Sequence, residues 1–351
     1  MAYTTIKKPS DYFSNTLYTG NNTAGRSITG VGFQPDLVWN KNRTGDGNHH
    51  LYDSVRGTQK FVRTNLTATQ GTNGGTDGLT AFGTDGYTIG GNSGINYNNR
   101  TYVTWNWKAG TTSGIATNGA TTITPGGYSF NQTSGMSIIN YDGNNTAGAK
   151  VAHGLGATPD MMIVKAMNST AHWAVYHKSM GNNYYMQFDT NAQLNDSGVW
   201  NGTSPDSVNF TVGNSDKTNT VTYIAYCFAE KQGYSKFGSY IGNGNSDGNF
   251  IYTGFKPAFF LAKRMSNATE SWVMFDNKRA NSFNGVTGIL KPNLSEAETY
   301  QGAGPSMDFL SNGIKFTNTD GTFNNSGIQF IYMAFAEAPL VGSNNTPCTA
   351  R

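Results

Sequence analysis

Gly32-Phe33-Gln34-Pro35-Asp36-Leu37-Val38-Trp39-Asn40-Lys41 returns twice along the chain in altered form. The second copy is Gly156-Ala157-Thr158-Pro159-Asp160-Met161-Met162-Ile163-Val164-Lys165, and the third is Gly254-Phe255-Lys256-Pro257-Ala258-Phe259-Phe260-Leu261-Ala262-Lys263. Each has a glycine, a proline three residues on, an apolar run and a closing lysine. Proline fixes φ and gives no N–H, so it suits the start of a strand and not its middle. The apolar runs have the composition of strands buried on both faces. The motif reads as a turn feeding a core strand, three times over.

Other motifs recur around it in the same order. Leu51-Tyr52-Asp53-Ser54-Val55-Arg56-Gly57 follows the first copy, Trp173-Ala174-Val175-Tyr176-His177 the second, and Trp272-Val273-Met274-Phe275-Asp276 the third. His177 aligns with Asp53 and Asp276, which marks a polar structural position and not a catalytic one. Closing strands are Tyr102-Val103-Thr104-Trp105-Asn106-Trp107, Tyr223 to Glu230, and Ile331 to Glu337. Thr84-Asp85-Gly86 between apolar alternations is a hairpin signal. Unequal spacing between copies places insertions in loops. A period near 100 residues is longer than the roughly 20–50 of solenoid or propeller units.

The expected fold is all-β, with three tandem repeats of about 100–120 residues, each a small antiparallel β-sandwich of jelly-roll or lectin-like type. The division is residues 1–110, 128–234 and 235–342 for the repeats, with a Gly/Thr/Ser-rich connector at 111–127 and an extended tail at 343–351. Within the connector, Ala120 to Thr124 has the composition of an edge strand.

Charged residues make up only 13% of the chain and aromatic residues another 13%, so low charge goes with enough aromatic content to build cores. Net charge is +3 without a basic run, which argues against nucleic acid as a partner. No apolar stretch reaches the length of a membrane span, and the start carries no apolar signal region. Of the two cysteines, Cys227 sits in an apolar strand pattern and Cys348 in the tail, so no disulfide framework is expected.

A search for chemistry finds little. Glutamate is absent before Glu230, and Glu230 and Glu337 occupy matching places after closing strands. A glycosidase needs a carboxylate pair, and no such pattern stands out. Neither a nucleophile elbow, a P-loop nor zinc spacing occurs. Asn243, Asn245 and Asp247 resemble half of an oxygen-ligand loop for calcium, without the bidentate Glu that should follow. No cofactor is expected beyond that weak cation candidate. Loop aromatics that could stack on sugar rings are Tyr97, Tyr184, Tyr185, Trp200 and Tyr300.

The ordered motifs carry a resemblance. Val31 to Asp36, Asp53-Ser54-Val55-Arg56-Gly57, Tyr226 to Glu230 with Gly233 to Tyr240, and Met333 to Pro339 are similar to a family of marine bacteriophage virion proteins. That family has a concanavalin A-like or laminin-G-like β-sandwich flavour, and the likeness covers nearly the whole chain. It implies a non-enzymatic virion component, a tail fibre or tail-associated adhesin for host-surface glycan. The expected partners are other virion proteins and further copies of the chain, as a homotrimer. Capsid decoration is the alternative, and a polysaccharide-degrading enzyme the third reading. The expected location is the virion, after synthesis in a host cytoplasm.

Overall fold

The computed structural model describes residues 4–91, 93–266, 270–279, 285–300 and 306–341. The tail at 343–351, with Cys348, lies outside them. The chain is 42% strand and 3% helix, and every pairing between its named strands is antiparallel.

Three larger sheets share one strand order. In the first, Phe13–Thr19, Thr101–Trp107, Leu37–Asn42 and His50–Asp53 lie side by side. The second runs Met136–Asp142, Thr222–Phe228, Met161–Ala166, Ala174–His177, and the third Ser235–Ile241, Gln329–Pro339, Phe255–Arg264, Val273–Asp276. In each, the opening strand pairs with the closing strand, and the proline-motif strand pairs next. The registers match as well: Leu37 faces Trp107 and Asp53, Met161 faces Phe228 and His177, and Phe259 faces Phe335 and Asp276.

Why the proline-motif strands are apolar on both faces follows from the packing. Outward, each larger sheet covers a small sheet and closes its own core: Val38 and Tyr52 meet Ile28 and Tyr87, Met162 and Tyr176 meet Val151 and Phe210, and Phe260 and Phe275 meet Ile251 and Ile314. Inward, all three sheets contribute to one further core. Trp39, Trp105 and Trp107 join Ile163, Tyr226 and Phe228 and then Leu261, Met333 and Phe335. Phe13 stacks on Phe335 at 5.2 Å, and Phe188 meets Trp272 edge-on at 4.8 Å and Trp39 at 5.5 Å. Large side chains buried this way each contribute on the order of 2–3 kcal/mol. The sandwiches are therefore fused back to back.

Polar contacts between the thirds follow a cyclic pattern. Asp53 accepts from the Tyr226 hydroxyl at 2.8 Å, His177 Nε2 meets the Tyr332 carbonyl at 3.2 Å, and Asp276 accepts from Trp105 Nε1 at 3.0 Å. Four residues earlier a second ring runs the opposite way: His49 Nε2 to Lys291 O, Trp173 Nε1 to Arg63 O and Trp272 Nε1 to Gln187 O, each at 3.0 Å. Asp53 and Asp276 each bind a buried arginine three residues on, Arg56 and Arg279, at 2.6 Å. In the second third both partners are neutral, His177 and Met180. A buried arginine without its carboxylate would be costly, so losing both charges together preserves the site.

Residues 111–127 are not a free linker. Thr111 bridges Phe130, and Ile123 is buried in a parallel bridge to Val151. The N–H groups of Thr122 and Ile123 both donate to Lys150 O, so the backbone's hydrogen-bonding need ties this segment to the second sandwich. Ala120 to Thr124, which has the composition of an edge strand, forms no strand and makes only the isolated bridge at Ile123.

Candidate ligand-binding cleft

Matched registers allow the three outer faces to be compared position by position. Where the first sheet has Asn40, Asn42 and His50, the second has Val164, Ala166 and Ala174, and the third Ala262, Arg264 and Val273. On the closing strands the places of Thr104 and Asn106 are taken by Ala225 and Cys227 in the second sheet and by Tyr332 and Ala334 in the third. One outer face has become polar. Asn40 Nδ2 donates to the Tyr18 hydroxyl at 2.6 Å, and the Tyr87 hydroxyl meets Thr104 Oγ1 at 3.0 Å. Asn40 Oδ1 and Asn106 Oδ1 are buried without a hydrogen-bond partner. Atoms of this kind also occur in the other thirds, at Ser137 Oγ, Trp200 Nε1 and Ser306 Oγ, so what sets this face apart is its polar residue types. Burial, reinforced by Arg63, pulls the His50 pKa down to about 3, so its ring is neutral.

Two residues of this polar face, Asn42 and His50, line a cleft of about 400 Å³, together with Asp46, Asn48, Phe61, Arg63, Asn73, Tyr97 and Arg100. The Arg100 guanidinium lies 4.9 Å from the Tyr97 ring centre, and that of Arg63 lies 4.7 Å from the Phe61 ring centre. Gly45 makes room for the first pair, since a Cβ there would fall 1.9 Å from Arg100 Nη1. Arg100 has one long contact, to Asp46 O at 3.5 Å, and Arg63 Nε is buried without a partner. Arg43, Arg56 and Arg279, by contrast, are each bound to carboxylates at 2.6 Å.

Over residues 8–339 the sequence matches the DUF7483 family model, described as a domain of unknown function. The chain belongs to that family. No curated protein and no solved structure matches it.

In this DUF7483 chain the expected contact residues separate. Tyr97 is 49% exposed on the rim of the cleft. Tyr184 and Tyr300 are exposed too, at 38% and 53%, but belong to the second and third thirds and form no part of its wall. Tyr185 and Trp200 are 3% and 1% exposed and are not available to a ligand. Strand alternation turns Tyr185 inward while its neighbour Tyr184 points out. Trp200 packs edge-on against Tyr176 at 5.9 Å.

The calcium-like loop has the geometry of an Asx turn. Asn243 Oδ1 accepts from Asn245 N, Asn245 Oδ1 accepts from Asp247 N, and Asp247 binds Lys315 at 2.6 Å. The same Asx turn closes on Asn21 with Thr23 and on Asn144 with Thr146. In all three thirds a buried amide, from Asn96, Asn219 or Asn324, caps the turn's N–H. The loop is a recurrent turn, with its oxygens committed to N–H donors. Among the described residues no group of three His, Cys, Asp or Glu could hold a metal ion.

Glu230 binds Lys178 at 2.9 Å and Lys236 at 2.6 Å, while Glu337 binds Lys256 at 3.4 Å. Glu298 joins Arg43 of the first third to Arg279 of the third, at 2.6 and 3.0 Å. No helix among the described residues is long and apolar enough to cross a membrane.

Sequence reasoning missed His50, Arg63 and Arg100. The signal was present in Asn40 and Asn42, polar residues at strand positions that are Val164 and Ala166 in the second copy.

Proposed function

We propose that this protein is a non-enzymatic component of a bacteriophage virion, placed on the tail, that binds glycan on the host surface through the cleft of its first sandwich. The observation that carries the binding reading is a cleft lined by amides, two arginines and an exposed tyrosine, beside the one polar outer face among three matched sheets. The exposed Tyr97 ring offers a face for sugar C–H groups. Around it the amides of Asn42, Asn48 and Asn73 and the carboxylate of Asp46 are groups of the kind that pair with hydroxyls. Three sandwiches fused on one core make a rigid base for such a site. The virion setting rests on the motif resemblance, and self-association into a homotrimer belongs to the same reading.

Two measurements test it. Purified protein is applied to a glycan array, with Tyr97→Ala expected to abolish retention. Cryo-electron microscopy of intact particles then locates the protein and counts its copies. Copies over the icosahedral shell would replace the tail reading with decoration. Release of reducing ends from a bound polysaccharide would replace it with an enzyme.

A further inference from the structure

Resting on the glycan-binding reading, we infer that the cleft selects acidic saccharides, those bearing a carboxylate or sulfate group, through Arg63 and Arg100. Two guanidinium groups face one cleft whose wall carries a single carboxylate, Asp46. Neither arginine joins an ion pair among the described residues, although the chain pairs Arg43, Arg56 and Arg279 with carboxylates. Both lie over aromatic rings, at 4.9 and 4.7 Å from the ring centres. The planar fork of a guanidinium is suited to two parallel hydrogen bonds to an oxyanion.

Two further features support this. Arg63 Nε is buried and unpartnered, and burial draws the Arg63 pKa below its ordinary value, so a negative partner would relieve an existing cost. Lys41 stands behind the Asp46 loop, with its Nζ 2.8 Å from Gly47 O, and offsets the negative charge of Asp46. A neutral sugar would leave the guanidinium groups with no counter-charge.

The test uses the full chain on an array carrying uronate-containing, sialylated, sulfated and neutral oligosaccharides, followed by titration of each hit. Every acidic hit is titrated beside its methyl-esterified or desulfated counterpart. The expected result is retention of acidic glycans, with at least tenfold weaker binding once the charge is masked. Arg100→Gln should remove that preference, and Gly45→Ala should weaken it by displacing the guanidinium. Arg100→Lys should recover only part, because it restores charge without the fork. Wild-type melting of each variant confirms folding. Equal binding of charged and masked glycans, still lost in Tyr97→Ala, overturns the charge selection and leaves glycan binding standing. Absence of any hit in both classes overturns both readings. Carboxylate and sulfate arms identify which oxyanion the fork takes.

Discussion

The Tyr226 hydroxyl donates to the Asp53 carboxylate at 2.8 Å, joining the closing strand of the second sandwich to the first. The same oxygen binds Arg56 Nε at 2.6 Å, and both charged side chains are buried. Asp53→Asn should therefore destabilise the protein by about 3–5 kcal/mol, because Arg56 would remain charged without its counter-ion. Tyr226→Phe should cost less, about 1.5–3 kcal/mol, the range for a hydrogen bond to a charged group. The double change Asp53→His with Arg56→Met copies His177 and Met180 of the second sandwich. Denaturant unfolding should show it less destabilising than Asp53→Asn alone.

Acid should weaken the fold from about pH 6.5 downward. Burial pulls the pKa of His153 and His177 down to about 4 and that of His50 to about 3, against an ordinary 6.5. As pH falls below 6.5 the unfolded chain takes up protons that the folded chain refuses, so stability drops steadily towards pH 4. His177→Gln should shallow that slope in melts between pH 4 and 7. An unchanged slope would show that His177 does not contribute.

On the alkaline side the sign produces a gain. Burial lowers Lys41, Lys165 and Lys263, the closing residues of the three motif copies, to about 8 from 10.5. Above pH 8 the folded state releases protons that the unfolded state holds until 10.5, so stability should rise with pH. The rise ends near pH 10, where buried tyrosines such as Tyr18 and Tyr141, whose pKa values burial pushes up, begin to favour the unfolded state. Melting temperature followed from pH 7 to 10 checks this, and Lys165→Met should reduce the gain.

Glycines 20, 143 and 242 hold the entry turns. A Cβ would come within 2.0 Å of Tyr97 O, 2.3 Å of the Asn219 backbone and 2.3 Å of Asn325 O, respectively. Alanine at any one of them should destabilise by about 1–3 kcal/mol, since backbone on the far side must move. The Gly20→Ala variant should also weaken glycan retention, because the atom displaced belongs to Tyr97.

Tyr97→Ala, by contrast, should leave melting nearly unchanged, within about 0.5 kcal/mol, as an exposed rim residue. Loss of retention without loss of stability would separate binding from folding.

Turns and strands were legible in the chain because their determinants are local. Pro35 and Pro159 stand two residues before their strands, whereas Pro257 lies inside Phe255–Arg264 at a break in its register with Gln329–Pro339, where a missing N–H is tolerated; Asn21, Asn144 and Asn243 close turns two residues away. That Leu37 to Lys41 would be buried on both faces was also plain from its apolar run. What it would be buried against was not. The common core brings Phe13, Trp107, Phe259 and Phe335 together from opposite ends of the chain, and burial energy carries no address within the sequence. Tyr184 and Tyr185 look alike as neighbours, and only strand pairing decided which turns inward. The polar outer face likewise depends on antiparallel register, which sets Asn40 beside His50 and Thr104. Sequence alone determined the elements, the turns and the recurrence of the motif. Tertiary structure decided which polar residues share a wall, because that depends on pairings between strands far apart in the chain.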